Sequence, residues 1–191
     1  YGVGFYGVEF PGYGLSRGLK TTEKTMYLAT EQLVQHLTKP AHEGGLGVDG
    51  GSLVLVGQSI GSAVAAEMSL RGYGKKCVLM SPFLSMRKVA GALFPFIAPG
   101  LVAAPFLLKD KFDNARKVGK IGVPLMVIHG DQDDIVPFAQ GEKVAALKQD
   151  ARLVQVSGAN HNDLFGTEHE ELVVGEIVRF ATDQHTPYKV A

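Results

Sequence analysis

Hydrophobic and polar positions follow one another along the chain in blocks that predict strands and helices in turn. Ser52 to Val56 form an uncharged, aliphatic run typical of a buried strand. Ser62 to Leu70 are rich in alanine and predict a helix that packs closely on a sheet. Glu23 to Leu37 predict an amphipathic helix. Its apolar face holds Met26, Ala29, Leu33, Val34 and Leu37.

Further apolar runs predict the rest of the fold. Strands are expected in KKCVLMSPF, VPLMVIHG and ARLVQVSGANH, with helices at roughly 139–149 and 168–182. The opening run YGVGFYGVEF, closed by the turn-rich PGYGLSRG, predicts one more strand. Alternating strands and helices are typical of a mostly parallel sheet flanked by helices, so we expect an α/β fold.

One segment departs from this alternation. Val89 to Leu108 are 20 residues without a charge, a length that could span a bilayer. Pro95, Pro99 and Pro105 interrupt the run, and strand–helix units lie on both sides. We therefore favour an insertion, or cap, at about 84–120 that packs over the rest of the domain. Whether its outer surface touches lipid stays open.

Composition narrows the classes of function. A chain of 191 residues fits one domain. Because 19 basic residues balance 19 acidic ones, the chain has no broad positive electrostatic field that would attract nucleic acid. The single cysteine, Cys77, excludes an internal disulfide and a cysteine-based metal cage. Its apolar surroundings predict a buried core thiol rather than a nucleophile.

Ser59 is the candidate nucleophile. It lies between Gly57 and Gly61, where the strand passes into the helix through a single residue. Such a passage needs a sharp turn, and glycines on both sides are expected to remove Cβ clashes. G-x-S-x-G alone is a common pattern. The strand before it and the helix after it make it typical of a nucleophile elbow.

A serine hydroxyl needs a histidine and an orienting carboxylate. Of six histidines, His161 lies in the loop after the last strand, whereas His129 closes a strand and is expected to support the next turn. The others lie in helices, an early loop or the tail: His36, His42, His169 and His185. Asp131, Asp133 and Asp134 follow a strand directly and are all candidates for the acid. A cluster of aspartates could also bind calcium in an EF-hand loop. This is excluded because a loop starting at Asp131 would have Val136 at its sixth position, which requires glycine.

Five segments carry a family resemblance, and together they extend over nearly the whole chain. They are PGYGLSRG, GQSIGSAVA, SPFLSM, FLLKDKFDNARKVGKIGVPLMVIHGDQDDIVP and GANHNDLF. With them the chain resembles the α/β-hydrolase-fold serine hydrolases, closest to the Bem46-like group, which includes α/β-hydrolase domain-containing proteins of types 17 and 13. The resemblance implies a Ser59–Asp133–His161 triad, with Asp133 taken from H-G-x-x-D-x-x-V-P. It implies the backbone N–H of Ile60 as one oxyanion donor. No metal and no organic cofactor are expected.

The chain also departs from this group. The second oxyanion donor of the fold comes from a loop after an earlier strand, and no such strand precedes Tyr1. The N-terminal membrane anchor or lipidated cysteines of the group are not seen either. We therefore expect a partial α/β-hydrolase domain over 1–191 that lacks its N-terminal strands. If the first ten residues are strand 4 of the fold, either a slot stays empty beside the elbow strand, or the two strands pair directly.

Three functions remain in competition. The first is a serine hydrolase that cleaves acyl esters or thioesters, and the second is a serine peptidase of related fold. The third is a non-catalytic hydrolase-fold module, favoured by the missing oxyanion loop. The expected partners are small-molecule or lipid-like acyl substrates, including acylated proteins, and no nucleic acid. Membrane contact is expected through 89–108 or the N-terminal part, which leaves a cytoplasmic or a membrane-associated location open.

Overall fold

Four parallel strands form the sheet in a computed structural model that describes residues 3–93 and 111–182. They are β1 (Val54–Gln58), β2 (Lys76–Met80), β3 (Leu125–Gly130) and β4 (Arg152–Val156). Their spatial order is β1-β2-β3-β4, so consecutive strands are neighbours and every connection crosses over through a helix or loop. The predicted α/β fold is confirmed.

Six α-helices accompany these strands in the described residues. They are α1 (Glu23–Thr38), α2 (Ile60–Leu70), α3 (Met86–Leu93), α4 (Asn114–Lys117), α5 (Phe138–Ala145) and α6 (Glu170–Thr182). Helix α1 begins at a capping box, in which the side chains of Thr22 and Thr25 each accept the other residue's backbone N–H. The predicted starts and ends of the helices agree with these bounds to within a few residues.

The core has two layers because β2 and β3 are buried along their whole length. Side chains of one face, Cys77 and Leu79 among them, pack against α2 and α5. The other face, which includes Val78 and Ile128, packs with Val173 of α6. Continuous apolar strands of this kind are typical of a parallel sheet covered on both sides. Cys77 is fully buried, and burial raises the pKa of its thiol to about 12.

The predicted strand in YGVGFYGVEF is wrong over the part that the structure describes. Residues 3–10 form no strand, and Phe5 is 89% exposed. A strand is stable only when a neighbour pairs its N–H and C=O groups, and among the described residues β1 pairs with β2 alone. Consequently, residues 3–10 do not lie against β1 as the expected strand 4. Val56 of β1 is 42% exposed, so the predicted buried strand is only half buried.

The predicted insertion at about 84–120 lies partly outside the described residues. Helices α3 and α4 fall within it, and Val89 of α3 packs beside Phe83 and Phe112. Residues 94–110 lie outside the described part, so the cap stays a prediction. Over residues 3–93 and 111–182, the structure contains no helix with the length and apolar character needed to cross a bilayer.

A charged cluster joins α1, α2 and α4 on one side of the domain. Lys117 Nζ lies 2.9 Å from Glu67 Oε2 and also donates to the hydroxyl of Tyr27. That hydroxyl in turn donates to Glu23 Oε1 at 2.6 Å. Arg71 Nε lies 2.9 Å from the other oxygen of Glu67. Helix α4 is only one turn long, so these contacts of Lys117 hold it against the two longer helices.

Candidate active site

Ser59 occupies a strained turn between β1 and α2. Its φ of 52° and ψ of −120° are unusual for a residue with a side chain, and such backbone conformations cost on the order of 1–3 kcal/mol. Gly57 allows the turn because a Cβ there would lie 2.1 Å from the carbonyl oxygen of Gly61. A Cβ on Gly61 would meet nothing within 4 Å. The expected steric need for glycine therefore holds at Gly57 and not at Gly61.

Hydrogen bonds fix the backbone of this turn. The N–H of Ser59 donates to Met80 O at 2.9 Å, which ties the turn to the end of β2. Its carbonyl oxygen accepts the N–H of Ser62 at 2.9 Å and the hydroxyl of Ser62 at 2.6 Å. Ile60 is the first residue of α2. The N–H groups of a first helical turn have no acceptor within their own helix, so this end of α2 carries a partial positive charge next to Ser59.

Asp133 and His161 form a buried hydrogen-bonded pair. Asp133 Oδ2 lies 2.8 Å from His161 Nδ1, and the two residues are only 7% and 5% exposed. The other carboxylate oxygen, Oδ1, accepts the N–H of Ile135 at 3.0 Å and that of Val136 at 2.6 Å. The turn after β3 thus folds around the carboxylate of Asp133 and leaves Oδ2 to face the imidazole.

The electrostatic setting keeps Asp133 ionised. Burial by itself would raise the pKa of the carboxyl group. Hydrogen bonds from His129, His161 and the N–H of Val136 outweigh burial, and the pKa of Asp133 lies well below its usual range. A carboxylate held in the charged form beside Nδ1 orients the imidazole with Nδ1–H towards it. Nε2 of His161 is then left to accept a proton.

The two neighbouring aspartates have other partners. Asp131 accepts the N–H of Gly158 at 2.8 Å and the side-chain amide of Gln155 at 2.9 Å. The bonds from Gln155 and Gly158 lower the pKa of Asp131. Asp134 is exposed, and its N–H donates to Asn160 Oδ1 at 3.1 Å. Of the three candidates, Asp133 alone hydrogen-bonds to His161 within the described residues.

The loop that carries His161 crosses back over the sheet from the far edge. Its Ala159 packs against Gly130, where a Cβ would lie 2.2 Å from the oxygen of Ala159. Asn160 Oδ1 accepts the N–H groups of both Asp134 and His161, the latter at 2.6 Å. This side chain therefore joins the acid loop to the histidine loop.

Gln58 connects the histidine loop to the elbow. Its Nε2 donates to the backbone oxygen of His161 at 3.0 Å, so the residue that precedes Ser59 holds the loop of the histidine. Within residues 3–93 and 111–182, no hydrogen bond joins the hydroxyl of Ser59 to the ring of His161. The structure brings Asp133 and His161 into contact, and Gln58, the residue before Ser59, hydrogen-bonds to the backbone of His161.

Sequence reasoning missed three side chains of this region. Gln58 and Asn160 each immediately precede a candidate residue, and that adjacency was the only local signal for them. The third, His129, supports the next turn as expected, with Nε2 2.8 Å from Val136 O, but its contact with Asp133 Oδ2 at 3.3 Å was missed. Over the described ranges, the structure contains no group of three His, Cys, Asp or Glu side chains that could hold a metal ion.

Comparisons with known proteins bear on the family and the fold of the chain. No protein-family model matches the chain. Human α/β-hydrolase domain-containing protein 17B is 31% identical over 172 residues, which cover 87% of this chain and 54% of that protein. The chain thus spans about half the length of this curated relative.

Solved structures share the fold at lower identity. The putative non-heme bromoperoxidase BpoC of Mycobacterium tuberculosis superposes with a TM-score of 0.64 at 18% identity, covering 93% of this chain and 81% of that one. The esterase RhEst1 of a Rhodococcus species superposes with a TM-score of 0.61 at 16% identity, covering 92% and 78%. At such identities the likeness shows the α/β-hydrolase fold alone.

Proposed function

Because the chain belongs to the α/β-hydrolase-fold proteins, we propose that it is a serine hydrolase that cleaves acyl esters or thioesters through an acyl-enzyme intermediate. The observation that carries the proposal is the buried pair of Asp133 and His161, joined at 2.8 Å and tied through the backbone of His161 to Gln58, which directly precedes the strained elbow residue Ser59. An ionised carboxylate beneath a histidine, next to a serine on a sharp turn, is the arrangement that activates a hydroxyl for acyl transfer.

In the proposed first step, Ser59 Oγ attacks the acyl carbon and forms a bond to it. His161 Nε2 takes the proton from the hydroxyl, and Asp133 stabilises the imidazolium that results. The carbonyl oxygen becomes an oxyanion, and the N–H of Ile60 at the start of α2 supplies one donor to it. The tetrahedral intermediate collapses when the alcohol or thiol leaves with the proton from His161.

In the second step, the oxygen of a water molecule attacks the acyl carbon, and the bond from that carbon to Ser59 Oγ then breaks. His161 Nε2 takes a proton from that water and returns it to Ser59 Oγ as the carboxylic acid departs. The hydrogen bond between Ser59 and His161 would have to form in the reactive complex. Catalytic hydrogen bonds are often long without substrate and tighten once substrate binds.

The proposed substrates are apolar acyl groups, small or lipid-like, including acyl groups carried by proteins. The support is the uncharged run at 89–108, most of which lies outside the described residues. Each methylene group buried in such a pocket is worth about 0.8 kcal/mol. A series of p-nitrophenyl esters of increasing chain length should therefore show rising kcat/KM from short to medium chains.

A fluorophosphonate probe tests the proposal because it labels an activated serine whatever the substrate. We expect the full chain to be labelled, and the Ser59→Ala variant to show neither labelling nor ester hydrolysis. Ser52→Ala is the matched control, since Ser52 is an exposed serine that precedes β1. Absence of labelling in the folded wild type would favour a non-catalytic module. Labelling that persists in Ser59→Ala would place the nucleophile elsewhere.

A further inference from the structure

A second imidazole lies beneath the acid loop. His129 near the end of β3 is completely buried, and its Nε2 is 2.8 Å from Val136 O and 3.3 Å from Asp133 Oδ2. Its ring meets that of Phe138 edge-on, with centroids 5.7 Å apart. A Cβ on Gly141 of α5 would lie 2.2 Å from Nδ1, so the ring is held closely against the backbone of that helix.

The neighbours of Nε2 decide where the ring hydrogen resides. Both Val136 O and Asp133 Oδ2 can only accept, so Nε2 carries the hydrogen; it donates to Val136 O at 2.8 Å and lies 3.3 Å from Asp133 Oδ2. The opposite nitrogen, Nδ1, has no hydrogen-bond partner among the described residues. An apolar side chain would fill the same space without burying an unpaired nitrogen, and buried polar atoms without partners are unfavourable. We therefore look for the role of His129 in the hydrogen carried by Nε2, which an apolar side chain would not provide.

We propose that His129 is a positioning residue that aims the carboxylate of Asp133 at His161. Its Nε2–H bridges Val136 O, in the turn, and Asp133 Oδ2, the same oxygen that binds His161 Nδ1. The backbone N–H groups of the turn hold only Oδ1. Without the bridge, Oδ2 is held by His161 alone, and the carboxylate can rotate away from the imidazole. The consequence for catalysis rests on the proposed function. The consequence for the Asp133–His161 bond does not.

The test compares two side chains of similar length at position 129. His129→Gln places an amide N–H near the site of Nε2, whereas His129→Met fills the space without a donor. Val127→Ala is the control for general destabilisation, since Val127 is fully buried on the same strand two residues earlier. The melting temperature of each full-length variant shows how far it is destabilised.

Two measurements report the position of Asp133. The first is the downfield proton NMR signal of the Nδ1–H of His161, which depends on the bond to Asp133 and not on turnover. We expect the wild type, His129→Gln and Val127→Ala to keep it and His129→Met to lose it. The second is ester hydrolysis, where His129→Met should lower kcat on the order of 10²-fold with KM unchanged, and His129→Gln should restore most of it.

Each contrary result has a distinct meaning. If His129→Met keeps both the signal and the kcat of Val127→Ala, His129 only fills space and the proposal is wrong. If His129→Gln fails as His129→Met does, a donor at Nε2 is not what matters, and the proposal is equally wrong. A signal that follows the expected pattern in a chain that no probe labels would overturn the proposed function and leave the positioning role supported.

Discussion

The side-chain amide of Gln58 donates a hydrogen bond to the backbone oxygen of His161 across 3.0 Å. Gln58 ends β1 at one edge of the described sheet, while His161 follows β4 at the other edge. Neighbouring strands are about 4.8 Å apart, so the loop after β4 returns across three strand spacings to reach the elbow. This bond joins the returning loop to the elbow.

Gln58→Glu should separate the histidine loop from the elbow, because a carboxylate cannot donate to the oxygen of His161. A lost hydrogen bond of this kind is worth about 1 kcal/mol, and we expect kcat to fall on the order of 10-fold. Steady-state hydrolysis of a p-nitrophenyl ester measures it. Gln32→Glu on the exposed side of α1 is the control. Equal activity of the two variants would show that the bond does not position His161.

Gly57→Ala and Gly61→Ala should have opposite effects although both lie in the same motif. The Cβ at position 57 would collide with the backbone of Gly61, so we expect a loss of roughly 1–3 kcal/mol or more in the free energy of unfolding. The Cβ at position 61 meets open space and favours the helix, by up to about 1 kcal/mol. Urea unfolding of both variants measures the difference. Similar losses would refute the steric explanation.

Asp133→Asn should abolish most of the activity. It should also make the free energy of unfolding fall less steeply as the pH is lowered. We expect kcat to fall on the order of 10⁴-fold, because an amide no longer selects the tautomer of His161. The pKa of Asp133 is lower in the folded than in the unfolded chain, so its stabilisation is present above the unfolded value near 3.9 and is lost as pH falls towards the folded value.

Urea unfolding from about pH 7 to about pH 3 measures this second effect. The wild type should lose more stability than Asp133→Asn over that range. Asp134→Asn, at the exposed neighbouring position, should behave as the wild type does. If Asp133→Asn were as acid-sensitive as the wild type, the carboxylate would not be held in its charged form by the fold.

Lys117→Met should loosen α4 from α1 and α2. The carboxylate of Glu67 loses one of its two cationic partners, so we expect about 1–3 kcal/mol less stability near neutral pH. Burial by itself would raise the pKa of Glu67, but the bonds to Lys117 and Arg71 outweigh it and lower the pKa. This stabilisation is present above the unfolded pKa and is lost as pH falls through the folded one.

The variant should therefore be destabilised most at neutral pH and least in acid. Thermal unfolding at several pH values measures the difference, with the exposed Lys120→Met as the control. A difference between Lys117→Met and the wild type that stays constant with pH would mean that Lys117 contributes packing and not charge.

The sequence predicted β2 and β3 well because both strands are mostly apolar, and their neighbours on both sides lie within the described chain. The sequence wrongly predicted a strand around Phe5 and full burial of Val56. Pairing and burial at a sheet edge depend on a partner strand, which the local pattern of residues does not reveal. Cβ clashes at an elbow depend on the path of the helix, and for this reason Gly57 and Gly61 differ although the motif treats them alike.

The candidate site, too, was predicted from the sequence only in part. The strand-to-helix pattern located Ser59, and the loop after the last strand located His161. The residues alone left three aspartates open, and only the resemblance selected Asp133. The turn after β3 determines which carboxylate faces the imidazole. The contact of Gln58 joins residues 103 positions apart, so no spacing rule could have indicated it, whereas the contacts of His129 depend on how the turn after β3 folds back on its strand.

The burial of Cys77 has a practical consequence. It is the single cysteine of the chain, and its thiol is both fully enclosed and almost wholly protonated at neutral pH. Thiolates are the form that maleimides and iodoacetamides attack, so the folded protein offers these reagents almost nothing. A cysteine introduced at an exposed position would be the one reactive thiol, and a fluorophore or spin label could be attached there without first replacing Cys77.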